Sequence, residues 1–457
     1  MQGCGPGGRP LRWTQPLHKQ TKEMKLSFVL WLALATPLTL WGQDNTKQLT
    51  INQLFELVEA NSKSLRAQRS SEEIARQGIQ VAKSQKLPDI NTSLSTSYIG
   101  NALMTNRHFG DAHGLHSPHF GNSFTLEAQQ TVYAGGALNT GVRLAEIAAR
   151  QASAGTKQVR EQERFLAIGQ YLDIAKIDNQ IKVVEKNIEL TQHLLDDIKA
   201  RQAQGMALKN DITRYELQMQ NLKLDLTKLH NSRSIFNHQL CNTLNIKDTE
   251  LVPTEGLTST RYTDATEPSW QSEAADSAPS MQIARNKIEE AQQNAKMARS
   301  KMLPKVAIVA ADNFNGPITY ELPPINKNIN AWYIGIGINY SLSSLFKSNK
   351  QLKQAKTAVR LSNEAYDVAA EQVNNQVQQA YTDYQQSYVE LETQQKKVEL
   401  ARQNYEVVND RYLNQLVLVT DMLDASNVRL DAELGEADAQ INVAFTYYKL
   451  LFTAGKL

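Results

Sequence analysis

Arg201-Gln202-Ala203-Gln204-Gly205-Met206-Ala207-Leu208-Lys209-Asn210-Asp211 and Arg411-Tyr412-Leu413-Asn414-Gln415-Leu416-Val417-Leu418-Val419-Thr420-Asp421 lie 210 residues apart and read as two versions of one segment. Arg, Leu and Asp hold the same places in both. Upstream, Ser84-Gln85-Lys86-Leu87-Pro88 is echoed by Ser300-Lys301-Met302-Leu303-Pro304 at an offset of 216. Working outward from these anchors, each copy runs as short helix, Leu-Pro, strand, loop, strand, very long helix, turn, very long helix. A repeat of that length is an architecture and not a grafted site, and overlooking it would misassign the whole fold.

The helices flank the quoted turns. From about 139 to 204 and from about 348 to 414 the sequence contains no proline. At 1.5 Å rise per residue each stretch spans roughly 100 Å. Ile174, Ile177, Ile181, Val184, Ile188, Leu195 and Ile198 follow a heptad stripe interrupted at Thr191, and Ile212, Tyr215, Met219, Leu222, Leu226 and Leu229 continue it after the turn. In the second copy the stripe is smaller and more polar: Val373, Val377, Ala380, Tyr384, Ser387, Leu391, Val398, Ala401 and Tyr405. Sustained heptads predict coiled-coil packing.

The segments after each Leu-Pro alternate. Ile90, Leu94 and Tyr98 oppose Asn91, Ser93, Ser95 and Ser97, and Phe124, Leu126 and Ala128 oppose Ser123, Thr125, Glu127 and Gln129. The second copy matches, with Val306, Ile308 and Ala310, then Trp332, Ile334, Ile336, Ile338 and Tyr340 opposite Gly335, Gly337 and Asn339. Two readings produce this pattern. One is a half-buried sheet. The other is a transmembrane β-barrel, apolar toward lipid and polar toward a wet lumen. Tyr98, Phe314, Trp332 and Tyr340 near strand ends fit an aromatic girdle. Four strands leave open edges, which lipid does not tolerate, so in a membrane several chains must pool them.

Bulk properties narrow the class. Hydrophobic residues make up 41% of the 457, aromatic residues 7%, and mean hydropathy is -0.45. That suits helices burying a stripe better than one large core. A formal charge of +2 provides no field to recruit nucleic acid. Phosphate-loop, dinucleotide-fold and HExxH motifs are absent, and no cofactor or nucleophile–base constellation is legible, so an enzyme is not expected. Met24-Lys25, the apolar run Leu26 to Leu40 and Gly42 read as a secretory signal cleaved near Gly42, with a membrane anchor as the alternative. The run is short of the roughly 20 residues a spanning helix needs. Residues 1–23 look like an extension ahead of a start at Met24. Cys4 falls in the removed part and leaves Cys241 without an internal disulfide partner, as a buried helix residue.

An exported chain duplicated in this order resembles the outer membrane efflux protein family, the TolC-like channel-tunnels, over about Leu49 to Leu457. The likeness rests on the Leu-Pro entries, on Gly205-Met206-Ala207-Leu208-Lys209-Asn210-Asp211 and on Leu418-Val419-Thr420-Asp421-Met422-Leu423-Asp424-Ala425. It implies an α+β membrane protein in which long antiparallel α-helical hairpins form an α-barrel. Four transmembrane β-strands per chain would close a twelve-stranded β-barrel as a homotrimer. It implies a bacterial outer membrane location extending into the periplasm. The function implied is a passive exit duct in a tripartite efflux or type I secretion system, opened when a periplasmic adaptor and an inner-membrane transporter dock. The expected divisions are an N-terminal extension and signal peptide at 1–42, a first repeat at 43–246, a linker or equatorial segment at 247–280, and a second repeat at 281–457. Strands are expected at about 89–100, 122–133, 305–315 and 331–342, and hairpins at about 139–246 and 348–453. A periplasmic coiled-coil adaptor or scaffold without a pore is the alternative, although such proteins carry one hairpin and no paired amphipathic strands.

The resemblance also assigns residues. Asp421 and Asp424, on one helix face at i,i+3, fall where the family places charged rings at the periplasmic constriction. Tyr412 and Asp211 fall on a pair that ties the inner hairpin to the outer one. The family's locking arginine position is Val417 here, which leaves Arg411 as a possible replacement. Gly205, Met206, Ala207 and Leu208 form one adaptor-facing tip, and Gln415, Leu416, Val417 and Leu418 the other. Leu416, Val417 and Leu418 are either docking knobs or packing between the helices. Lys63 stands where the second copy has Pro279. Finally, His108, His113, His116 and His119 place half of the eight histidines in twelve residues of the first interstrand loop. Such spacing can hold zinc or copper. A mobile polar loop with Gly110, Gly114, Pro118 and Gly121 is the reading preferred.

Overall fold

A computed structural model describes residues 46–254 and 262–457. The signal segment and the extension before it lie outside the described residues. The first repeat opens with β1 (Thr46–Leu49), α1 (Ile51–Asn61) and α2 (Lys63–Ser84), then β2 (Asp89–Tyr98). A small hairpin, β3 (Ala102–Met104) and β4 (His113–Leu115), separates it from β5 (Phe120–Ala134). The long helices α3 (Ala137–Ala203) and α4 (Lys209–Thr243) follow. Next come β6 (Glu250–Pro253) and α5 (Glu267–Ser277), then α6 (Pro279–Ser300), β7 (Lys305–Gly316), β8 (Ile329–Asn339), α7 (Ser344–Leu413) and α8 (Val419–Thr453).

Each boundary has a local cause. Ser62 ends α1 and starts α2, its Oγ accepting from the Leu65 N–H at 3.2 Å. Proline at the first position does the same work for α6, where its missing N–H is no loss. Lys63 in place of a proline therefore changes the means of starting the helix and not its position. Leu87-Pro88 and Leu303-Pro304 stop α2 and α6, because proline drives the residue before it out of the helical region.

The four long strands form one antiparallel sheet in the order β2-β5-β7-β8. Its register sorts the side chains. Leu94, Phe124 and Phe314 align across three strands, as do Ala128, Ala310 and Ile334, while Ser95, Ser123 and Asn315 align on the opposite face. One face is thus apolar and the other small and polar. Trp332, Ile334, Ile336 and Ile338 of β8 are all exposed, as are Ile90, Leu94 and Tyr98 of β2. Both outer strands keep a free edge in the single chain.

Below the sheet the helices make a layer in which α3 packs on α2 and α6, and α6 on α7. Farther down, α4 joins α3 and α8 joins α7, with α8 also packed on α3. The main core unites Leu54, Val58, Ile168, Tyr171 and Leu172 with Leu240, Leu251 and Ile441. A second holds Trp270, Met281, Val377, Tyr384 and Leu450. The segment expected to be a linker or equatorial segment pairs and packs on the rest of the chain. β6 pairs in parallel with β1, with Lys47 opposite Leu251, and α5 buries Trp270 against α7. Nothing in the alternation of so short a strand as Thr46–Leu49 marks it, since its partner lies some 200 residues away. No helix among the described residues is long and apolar enough to cross a membrane.

Candidate functional site at the hairpin tips

Both tips end their first helix in the same way. Met206 N–H donates to the Arg201 carbonyl and Gly205 N–H to that of Gln202, each at 2.9 Å. Leu416 N–H donates to Arg411 at 2.9 Å and Gln415 N–H to Tyr412 at 3.0 Å. This pairing closes a helix through one left-handed residue. Gly205 takes it at φ +79°, and Gln415 takes it at φ +60° despite its side chain.

Both second helices also start alike. Asp211 Oδ2 accepts from the Leu208 N–H at 3.0 Å, and Asp421 Oδ2 from the Leu418 N–H at 2.9 Å. A carboxylate there satisfies an orphan N–H and complements the positive end of the helix dipole. The conserved spacing of the two quoted segments therefore has a structural cause in both copies. Asp424, one turn on, is exposed and stands beyond the capping position.

The two tips meet over a small apolar core of Leu195, Ile198, Tyr215, Tyr412, Val419 and Met422, with Ala207 and Val417 packed against it. Leu208, Leu416 and Leu418 project into solvent, and Met206 is half exposed. The choice posed by the three residues of the second tip is thus divided among them: Val417 packs, while Leu416 and Leu418 protrude. A groove of about 310 Å³ runs between the tips, lined by Arg201, Asp211, Arg214, Tyr412 and Thr420 among others. Gln415 Nε2 reaches Met206 Sδ at 3.7 Å across it.

The cation that meets Tyr412 is Arg201, not Arg411. The Arg201 guanidinium lies 5.6 Å from the centre of the Tyr412 ring, and its Nη1 donates to the Leu413 carbonyl at 3.3 Å. Asp197, one turn back on α3, accepts from Arg201 Nε at 2.9 Å and orients it. Arg411 is exposed. Asp211 directs a carboxylate oxygen at Leu208 and acts on Tyr412 through its field. Burial raises the Tyr412 phenol above its ordinary value, Arg201 pulls it back, and Asp211 and Asp197 push it up. Burial likewise raises Tyr215, with the Tyr412 and Tyr405 phenols and Asp211 adding to it. Arg201 was visible in the sequence as the repeat partner of Arg411. What the spacing did not carry is which of the two equivalent arginines faces the other hairpin.

The histidine loop is built rather than loose. β3 and β4 pair with Met104 opposite His113. His119 stacks on Tyr98 at 5.1 Å, and its Nδ1 lies 2.8 Å from the Ile99 carbonyl. His116 packs edge-on to His119 at 5.3 Å. His108 and His113 are exposed elsewhere on the loop. Among the described residues no group of three or more His, Cys, Asp or Glu converges as metal ligands would.

Comparison with known proteins extends this picture. A family model described as outer membrane efflux protein matches residues 54–245 and 270–455, one segment in each repeat. None of the curated protein sequences matches the chain. Among solved structures, the outer-membrane channel OprN superposes with a TM-score of 0.77 at 16% identity, covering 89% of this chain and 90% of that one. VceC from Vibrio cholerae gives 0.74 at 17%, covering 89% and 96%. The open-state MtrE channel of Neisseria gonorrhoeae gives 0.72 at 15%, covering 89% and 88%. These likenesses carry the fold, and the family model carries the membership. A duplicated chain matched in both halves, with a two-faced sheet above long helical hairpins, belongs to the outer membrane efflux protein family, seated in the outer membrane and extending into the periplasm.

Proposed function

We propose that this protein is the passive exit duct of a tripartite efflux or type I secretion system, working as a homotrimer. The observation that carries the reading is the sheet. Its apolar face fits lipid, its polar face fits a wet lumen, and its β2 and β8 edges are free to pair. Because the strands alternate in direction, β8 of one copy can add antiparallel to β2 of the next, and three copies of four strands close a ring of twelve. The helical layer has matching edges, since exposed Ile74 and Val81 on α2 and exposed Leu361 and Val368 on α7 await a neighbour.

At the periplasmic end, three copies of Asp421 and Asp424 crowd carboxylates around the axis, a charge arrangement that favours cations in the resting state. The Arg201–Tyr412 contact ties the inner hairpin, α7–α8, to the outer one, α3–α4. The exposed Leu208, Leu416 and Leu418 offer apolar knobs to a periplasmic adaptor that couples the duct to an inner-membrane transporter. The energy for transport comes from that transporter.

Conductance of the purified protein in planar bilayers tests the reading. Wild type is expected to pass a small, cation-selective current. Arg201→Ala is expected to raise it severalfold, because a cation–π contact of about 0.5–1 kcal/mol per subunit and a carbonyl hydrogen bond are lost. A protein that stays silent in both forms would count against a duct.

A further inference from the structure

The two ends of the four-stranded sheet differ in charge. At the end away from the helices, loops 99–119 and 317–328 carry Arg107, Asp111, Glu321 and Lys327 besides histidines, so the signs balance. At the end that feeds the helices they do not. No Asp or Glu occurs between Glu73 and Asp89, between Glu127 and Glu146, between Glu290 and Asp312, or between Glu321 and Glu364. These spans contain every junction between a strand of the sheet and a long helix. Cations fill them instead. Lys83 and Lys86 lie at the end of α2, Arg299 and Lys301 at the end of α6, and Lys347 and Lys350 in the first two turns of α7. All are exposed. At 1.5 Å per residue, each stands within roughly 10 Å of its helix end.

Among the described residues none of these cations has an ion-pair partner, whereas Arg143 pairs with Glu146 and Arg360 with Glu364. Lys86 Nζ meets only the neutral Asn139 Oδ1, at 2.7 Å. The helix dipole accounts for part of the set, since Lys83 and Arg299 sit in last turns, where a cation is favoured. It opposes Lys347, which stands in the first turn of α7 with no acid beside it. That lysine needs a counter-charge from outside the chain. The cations also have exposed apolar company. Leu87 follows Lys86, Leu303 lies two residues past Lys301, and Phe346, 79% exposed, precedes Lys347. A water-filled lumen offers an exposed phenyl ring nothing to bury against. The headgroup level of a bilayer does, because rings settle there while lysine stems run over apolar surface to reach phosphate. Lys305 differs: it shares a strand face with Asn315 and lies opposite Asn339, which puts it on the polar side of the sheet.

We propose that this end of the sheet is a basic collar that binds anionic phospholipid headgroups of the periplasmic leaflet. The proposal rests on the reading that the sheet spans the bilayer with its apolar face to lipid, and it adds which lipid gathers there. A lysine near a negatively charged membrane surface is drawn to it, and the attraction fades within a Debye length, about 8 Å at physiological salt. The collar cations stand at the level where the apolar face of the sheet ends, so the headgroups fall within that reach. Lys353 and Lys356 continue the run along α7 and add a weaker, more distant field. Phosphate is the matching group, because the chain supplies these cations with no carboxylate of its own. Bound headgroups would fix the height of the sheet in the bilayer and enrich anionic lipid around it.

Lipid selectivity of the full chain tests this. The protein is reconstituted in phosphatidylcholine vesicles holding a trace of spin-labelled phosphatidylglycerol or of spin-labelled phosphatidylcholine. Electron paramagnetic resonance then reads the share of each label immobilised at the protein surface. At low salt, wild type is expected to prefer phosphatidylglycerol at least about threefold. Salt of about 1 M, which shortens the Debye length to about 3 Å, is expected to abolish the preference. Lys83→Gln, Lys301→Gln, Lys347→Gln and Lys350→Gln together are expected to lower it at least about twofold with Tm held, since no ion pair is lost. Lys182→Gln, Lys186→Gln and Lys305→Gln together remove positive charge outside the collar and are expected to leave it as in wild type. Equal immobilisation of the two labels by wild type would overturn the collar alone. So would a preference that survives the four collar substitutions, or one that falls equally in both variants. Immobilisation of neither label would show that the sheet does not meet lipid, and would remove the spanning reading and the collar with it.

Discussion

Asp421 has two demands on one carboxylate. One oxygen caps α8 through the Leu418 N–H, while Asp424, a turn along, carries its charge without a capping duty. The two acids are therefore separable by experiment. Asp421→Ala should cost about 1 kcal/mol of stability through the lost cap, read as a lower Tm, and should also change ion selectivity in bilayers. Asp424→Ala should change selectivity with Tm held. A second residue-level asymmetry lies one turn away. Gly205 occupies a left-handed backbone with no side chain to strain it, whereas Gln415 adopts the same conformation with one. Gly205→Ala is expected to destabilise by about 1–2 kcal/mol, whereas Gln415→Gly, measured by the same thermal melt, should not destabilise.

Along α3 the heptad stripe explains the length of the helix but not each inward position. Asn187 displaces Ile188 because Arg429 and Glu433 face it. Nearer the sheet the same helix buries Glu161, whose carboxyl desolvation pushes up to about 7, with Lys157, Arg164 and Arg160 pulling the other way. The folded value lies above the ordinary 4.5, so the folded state holds the proton more tightly than the unfolded chain. The stabilisation this brings is complete below about pH 4.5 and is lost as pH rises through about 7. Thermal melts across that window should show the decline, and Glu161→Gln should flatten this part of the profile. An unchanged slope in the variant would place the dependence elsewhere.

At the scale of the molecule, one chain leaves its sheet open at both edges. Its sheet shows lipid-type side chains to solvent on one face and leaves two edges free, a state that soluble proteins avoid and membranes forbid. Ile336 of the edge strand β8 stands on the apolar face, opposite Ile308, while its neighbour Gly335 lies on the other face with open space around it. Ile336→Lys is expected to cost about 2–4 kcal/mol in the bilayer and to deplete the protein from outer membrane fractions. Gly335→Ser, on the polar face, should fractionate as wild type. Equal behaviour of the two would contradict the assignment of faces.

The repeat, the Leu-Pro entries, the four alternating strands and the two long hairpins were legible because each is written in local periodicity or local turn chemistry. Helix and strand periods, proline stops and the Arg-to-Asp spacing act over a few residues, so they survive in one dimension. The Arg-to-Asp spacing is local for the same reason: Asp211 and Asp421 accept from the Leu208 and Leu418 N–H groups, three residues before them. Tertiary structure alone decided the pairings between copies. It chose Arg201 over Arg411 as the neighbour of Tyr412, turned Asn187 inward, and joined β1 to β6 across some 200 residues. Each of those outcomes depends on which face of a helix or edge of a strand meets a distant partner. That is fixed by the packing of whole helices against one another, and no short window of residues carries it.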